Sequence, residues 1–257
     1  MDPGLYARSE SSRALVLLGY PDQARKRMHE ALAQARGTTD PLSLAFALAF
    51  AAFLHQFLRE PQETLQLADE CLVLCSEYGI AEEHVWVMPA RGWALVEQGE
   101  VEAGVSVAIE GLALQREILS DIARPQFLCH LIEALAKAKK PREALAAAAE
   151  ALSVAEKTGD HYYDAEVYRL KGEMVLRENG QNTAETEACF HQSIAVACRQ
   201  DAKSMELRAA TSLSRLWIKQ GKKDQARQML AETYSWFTEG FDTADLKEAR
   251  ELLQGLS

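Results

Sequence analysis

The sequence predicts an all-α, right-handed solenoid of six helix pairs plus a C-terminal capping helix. Three observations carry that prediction. A short pattern recurs with anchor residues at 24, 64, 104, 144, 188 and 226, giving steps of 40, 40, 40, 44 and 38. Pro21, Pro61 and Pro141 each stand three residues before an anchor, where proline opens a helix because its missing N–H costs nothing in the first turn. Strand signals are poor: alternation of period two is not sustained, and good helix formers (Ala, Leu, Glu, Gln, Arg) dominate.

Taken in order, the helix pairs fall near 3–18/21–36, 41–58/61–78, 82–98/101–118, 123–138/141–157, 161–178/184–200 and 203–220/222–236. The first pair turns at Gly19-Tyr20-Pro21 and carries the small residues Ala24 and Ala31. In the second, Asp40 caps a helix opened by Pro41, and Thr64 and Cys71 take the small positions. The third pair has Gly104 and Gly111, with Pro89 expected to kink its first helix at a cost of about 3 kcal/mol. The fourth opens at Pro125 and Pro141 with Ala144 and Ala151; the fifth is anchored at Ala188 and Ala195, the sixth at Ala226. The small residues bring the two helices of a pair close, and large ones such as Leu18, Leu48, Ile109, Leu135, Leu170 and Leu213 fill the space between repeats. After the break at Thr238–Asp242, a last helix near 243–255 carries Asp245, Lys247, Glu248, Arg250 and Glu251, the wet outer face that a solenoid cap requires. The whole of 1–257 reads as one superhelical domain, with repeats near 1–38, 39–79, 80–119, 120–158, 159–201 and 202–238 and a cap at 241–257.

Composition bounds the function. The 257 residues include 28 Lys+Arg and 38 Asp+Glu, a formal charge of -10, which argues against direct nucleic-acid binding. The longest apolar run, Leu42 to Leu54 interrupted by Ser43, is too short for the ~20 residues of a membrane span. No signal-peptide core opens the chain, and five sparse cysteines suit the reducing cytoplasm. Charge is uneven along the chain. Residues 60–119 hold twelve acids and two bases, and residues 199–227 hold eight bases and three acids. Solvated helix faces explain this; so would pairing of the two stretches between chains in a homodimer.

Catalytic signatures are missing. There is no phosphate loop, dinucleotide fingerprint, H-E-x-x-H or G-x-S-x-G, so neither catalytic residues, metal ligands nor a cofactor are assigned. Cys71 and Cys75 share a helix face, but no further ligands accompany them, and core packing explains them. By repeat register, the inner, concave face carries Phe46, Phe53, His55, Trp86, Arg91, Trp93, Gln126, His130, Glu166, Arg169, Glu173, Arg208 and Arg215. An aromatic-lined concavity suits an extended or helical segment, and its charged members suit a ligand's termini or side chains.

The pattern resembles the tetratricopeptide repeat. Tyr168-Arg169-Leu170-Lys171-Gly172 and Arg91-Gly92-Trp93-Ala94 echo that family's helix A, and Ala24/Ala31 and Ala144/Ala151 its helix B. The period here is longer than the family's ~34 residues, and the helix-A glycine is absent from repeats one, two, four and six. Three C-terminal runs carry a narrower likeness: Ala165–Glu173, Ser204–Ala210 and Trp236–Leu246. They look like the tetratricopeptide region that follows the ATPase module in large bacterial signalling proteins, those headed by an adenylate/guanylate cyclase or a winged-helix domain, the maltose-activator type among them. The resemblance covers nearly the whole chain but only the repeat region of such proteins. It implies a cytoplasmic, non-enzymatic regulatory scaffold, here a fragment or stand-alone relative. Its partner would be a protein or peptide, or the ATPase/cyclase module upstream in the parent protein. The alternative is a small-molecule (inducer) sensor using the same groove. A long open groove favours the first reading, a deep pocket walled by Trp and Arg the second.

Overall fold

The computed structural model describes residues 2–118, 121, 123–180 and 183–256. Thirteen helices occupy them: α1 (Pro3–Leu17), α2 (Pro21–Arg36), α3 (Pro41–Phe57), α4 (Pro61–Tyr78), α5 (Ala81–Glu97), α6 (Val101–Ile118), α7 (Arg124–Lys137), α8 (Pro141–Thr158), α9 (Asp164–Glu178), α10 (Thr183–Arg199), α11 (Lys203–Lys219), α12 (Lys223–Ser235) and α13 (Ala244–Gln254). No strand occurs among the described residues. The boundary expected at 119/120 lies outside them. Odd-numbered helices line the inside of the array and even-numbered ones the outside, with α13 closing the end.

The helix starts set the register. In all six outer helices the anchor is the fourth residue: Ala24, Thr64, Gly104, Ala144, Thr186 and Ala226. The fifth anchor is therefore Thr186, not Ala188. Thr186 and Ser193 are fully buried, whereas Ala188 and Ala195 are exposed. The misplacement arose because the loop before α10 is longer than its equivalents, and an alanine happens to follow two residues later. On the inner helices the matching crossing points are Ser12, Ala52, Gly92, Ile132, Gly172 and Ser214.

Small residues at these crossings let backbones meet. A Cβ on Gly104 would stand 2.4 Å from the Gly92 carbonyl oxygen, and the Ser12 and Ser214 hydroxyls donate to the Ala24 and Ala226 carbonyls at 2.7 and 3.3 Å. Five of the six inner-to-outer turns place a left-handed residue at one repeating position. Gly19, Gly99 and Gly221 supply it freely, at φ 91°, 96° and 81°, while Arg59 and Lys139 hold it at 64° and 58° against the Cβ penalty. Helix α5 runs through Pro89 without ending. Leu18 and Ile109, expected between repeats, are exposed.

Repeat curvature brings the ends together. Ser204 Oγ on α11 donates to the Val16 carbonyl at the end of α1, at 2.6 Å. Gly19 packs against Trp236, Phe237 and Lys203, and Gly240 against Pro21. Tyr20 offers α2 no side-chain cap; Glu239 instead accepts from the Asp22 and Gln23 amides, both at 3.0 Å. The array is thus closed upon itself, and its concave face is an enclosed interior where an open groove was expected.

Candidate functional site: a charged cup inside the closed array

Three columns of residues face the interior, the second lying two turns and the third three turns beyond the first on each inner helix. The first runs Tyr6, Phe46, Trp86, Gln126, Glu166, Arg208; the second Arg13, Phe53, Trp93, Glu133, Glu173, Arg215; the third Leu17, Phe57, Glu97, Lys137, Arg177, Lys219. In each column the first repeats supply mostly aromatic or apolar side chains and the last supply charged ones. This gradient divides the interior.

The apolar part fills itself. Tyr6 stacks on Phe46 at 5.7 Å, and Phe46 meets Phe50 at 4.4 Å. Phe53 contacts both Trp86 and His130 at 6.1 Å, and Trp86 contacts Phe127 at 5.3 Å. Arg13 lies over the Tyr162 ring at 4.9 Å, joining α1 to the start of α9. Only about 20 Å³ remains free beside Phe50, Phe53, Gln126 and Tyr163. The end of the interior at the N-termini of the inner helices is therefore sealed. Within this plug, burial drives the His130 imidazole down to about 4, so it stays neutral at pH 7.

The charged part stays open. A cavity of about 590 Å³ lies between α5, α7, α9 and α11. Its walls include Trp93 and Glu97 from α5, Glu133 and Lys137 from α7, and Arg169, Glu173 and Arg177 from α9. Arg208, Thr211, Ser212, Arg215 and Lys219 come from α11, and Arg59, Asp245 and Glu248 close the remaining side. Sealed at one end and walled around, this cavity has the form of a cup. Seven cationic and five anionic side chains line it, so the cup carries surplus positive charge in a protein that is acidic overall.

An ion-pair network forms its base and its closing wall. Arg169 donates to Glu166 through Nε at 3.0 Å and through a terminal nitrogen at 2.5 Å, and to Glu173 at 2.6 Å. Burial alone would raise Glu166, but Arg169 and Arg208 beside it hold it down at about 2. Arg208 reaches Asp245 at 2.7 Å and Glu166 at 3.6 Å, and donates to the Phe57 carbonyl while lying 4.1 Å over its ring. Arg59 pairs with Asp245 at 3.3 Å and Glu248 at 2.8 Å, and Arg215 pairs with Glu248 at 2.6 Å. The strained backbone of Arg59 is thus held by two ion pairs to the far end of the chain. Glu133 is pushed up to about 7, first by burial and then by Glu166.

Of the residues expected on the concave face, Trp93, Arg169, Glu173, Arg208 and Arg215 line the cup. Glu166 lies behind them in the network. Phe46, Phe53, Trp86, Gln126 and His130 face inward but belong to the plug, so they pack where a ligand was expected to lie. His55 and Arg91 sit off the inward columns: His55 Nδ1 meets Glu60 at 2.6 Å, and Arg91 pairs with Asp69 of α4 at 2.7 Å. Sequence reasoning missed Arg59, Glu133, Arg177, Lys219, Asp245 and Glu248. Column arithmetic finds one of these, because Glu133 shares the register of Trp93 and Glu173. Asp245 and Glu248, read as part of the cap's wet exterior, line the cup instead. Arg208, Arg215 and Lys219 also point inward, so the basic stretch 199–227 presents less positive charge outward than its composition suggests.

No protein-family model matches the sequence, and no curated protein matches it. Solved structures do match. NprR in complex with its cognate peptide NprX superposes with a TM-score of 0.72 at 12% identity, over 100% of this chain and 73% of that one. The fold is that of a tetratricopeptide-repeat array. The apo form of RapI gives a TM-score of 0.56 at 13% identity, covering 97% of this chain and 95% of its own. A signal transduction ATPase with numerous domains from Pyrococcus horikoshii, which carries a tetratricopeptide repeat sensor, gives 0.58 at 12% identity over 98% of this chain. This chain spans 38% of that protein's length. Among the described residues no helix is long and apolar enough to cross a membrane.

Proposed function

We propose that the chain is a non-catalytic regulatory module whose central cup receives a short peptide or the end of a partner protein. The cup is the observation that carries this reading. Its volume of about 590 Å³ falls within the ~300–1,000 Å³ of ligand sites. Its fixed charges suit a polar ligand with charged ends. The likeness to NprR, solved with a peptide, supports the ligand class. The ATPase with a tetratricopeptide sensor, together with the C-terminal resemblance, supports a place in a bacterial signalling or transcription-regulating ATPase system in the cytoplasm.

A compact inducer is the second reading. The sealed end favours it, since a long extended segment has no exit from the cup. One experiment separates the two. The purified chain is incubated with an equimolar pool of synthetic tripeptides and, separately, with a panel of mono- and disaccharides, and each mixture is examined by native mass spectrometry. Wild type is expected to retain tripeptides, and Ala136→Trp, which fills the cup from its wall, is expected to lose them. Retention of a sugar alone would select the second reading. Retention of nothing, or undiminished retention by Ala136→Trp with its helical circular dichroism intact, would refute the cup as a ligand site.

A further inference from the structure

The charges lining the cup are not all used. Glu97, Glu173, Asp245 and Glu248 each have a cationic partner within 3.1 Å. Glu133 does not: its nearest cation is Arg169 at 3.9 Å, and that guanidinium is already committed to Glu166 and Glu173. Burial and the neighbouring Glu166 raise the Glu133 carboxyl to about 7, as expected of a carboxylate short of one positive charge. Two cations are in the opposite condition. Arg177 donates to the Ala136 carbonyl at 2.9 Å and has no acidic partner among the described residues, and neither has Lys219.

The spacing of the poles is informative. Glu133 belongs to the second inward column, and Arg177 and Lys219 to the third, which lies four residues further along the inner helices. Four residues are about 6 Å of helix rise. The anionic pole is therefore the deeper one and the cationic pole lies nearer the mouth. The poles stand on different helices, and the cup of about 590 Å³ that they line admits a chain of two or three residues.

Resting on the reading of the cup as the ligand site, we infer that it selects short zwitterionic peptides entering amino end first. Glu133 takes the ammonium group, and Arg177 and Lys219 take the carboxylate. The inferred ligand supplies the one cation that Glu133 lacks and the anion that the mouth lacks, and it leaves the pairs that hold the array closed untouched.

The same tripeptide pool tests this in three forms: free, N-acetylated and C-amidated. Wild type, Glu133→Gln and the double variant Arg177→Gln/Lys219→Gln are compared at pH 8 by native mass spectrometry, with circular dichroism as the folding control. Wild type is expected to retain the free pool about tenfold better than either blocked pool, the effect of one charge-assisted hydrogen bond. Glu133→Gln is expected to lose the preference for a free amine but not for a free carboxylate, and the double variant the reverse. Equal retention of free and N-acetylated peptides by wild type would overturn this inference and leave the cup a peptide site. So would an amine preference that survives in Glu133→Gln. Retention of no form would overturn both readings.

Discussion

Truncating Arg208 tests how the two ends of the array are held together. Its guanidinium donates to Asp245 on α13 at 2.7 Å and to the Phe57 carbonyl at the end of α3, lies 4.1 Å over the Phe57 ring, and stands 3.6 Å from Glu166 on α9. Every one of these partners lies on another helix. The Arg208 and Asp245 side chains are 11% and 16% exposed, so Arg208→Ala strands an acid in poor solvent. Breaking a buried pair from one side costs about 3–5 kcal/mol. Asp245 keeps Arg59 at 3.3 Å and Glu166 keeps Arg169, which places the expected loss at the lower end, about 3 kcal/mol. Asp245→Ala leaves Arg208 its remaining partners, and the double variant is expected to fall short of the sum of the singles by about 1–2 kcal/mol. Urea denaturation of the four proteins, followed by far-ultraviolet circular dichroism, measures this. A loss below about 1 kcal/mol for Arg208→Ala is what a screened surface pair gives. That result, or strict additivity in the double variant, would refute the reasoning.

Other perturbations have equally definite outcomes. Gly104→Ala would drive a Cβ to 2.4 Å from the Gly92 carbonyl oxygen and is expected to cost about 3 kcal/mol, against about 0.5 kcal/mol or less for Gly180→Ala, where the nearest atom is 3.8 Å away; thermal unfolding compares them. Glu133 is faced by Glu166 and Glu97, which raise its proton affinity, and by Arg169 and Arg208, which lower it. Because its folded value of about 7 stands above the ordinary 4.5, the folded state keeps a proton that the unfolded state releases, and stability falls as pH rises from about 4.5 to about 7. Glu133→Gln does not titrate, so its melting-temperature advantage over wild type should widen across that window and then level off; a constant gap would contradict the assignment. Glu239→Ala removes the distant cap of α2 and is expected to cost about 1 kcal/mol, with faster hydrogen exchange at the Asp22 and Gln23 amides.

Local features were legible in the sequence. Proline at the first helical position, small residues at fixed distances behind it and a step of about 40 residues placed almost every helix boundary within a residue or two. Register also identified which faces point inward, because Phe46, Trp86, Gln126, Glu166 and Arg208 recur at one position of the repeat. The fifth anchor failed where the loop before α10 lengthened: counting along the chain drifts, whereas counting from the helix start does not. His55 and Arg91, assigned to the inner face by the same register, lie off the inward columns, where each meets an acid instead. Closure of the array was not legible. It is the accumulated result of small rotations between repeats, which no local pattern encodes. Its signs in the sequence, Arg59 where other turns carry glycine and acids on one face of α13, acquire meaning only once the ends meet. For the same reason the aromatic half of the interior read as a binding surface: in an open arc those rings would be free, and in the closed array they pack against one another.

Closure is the claim on which the cup, its surplus charge and its ligand all depend. Small-angle X-ray scattering of the full chain tests it most directly. A closed, compact chain of this length is expected to have a radius of gyration of about 18–20 Å, with Arg59→Ala/Arg208→Ala moving to larger values as the seam loosens. A wild-type value above about 24 Å, well beyond compact scaling, would mean an open arc and would contradict the account.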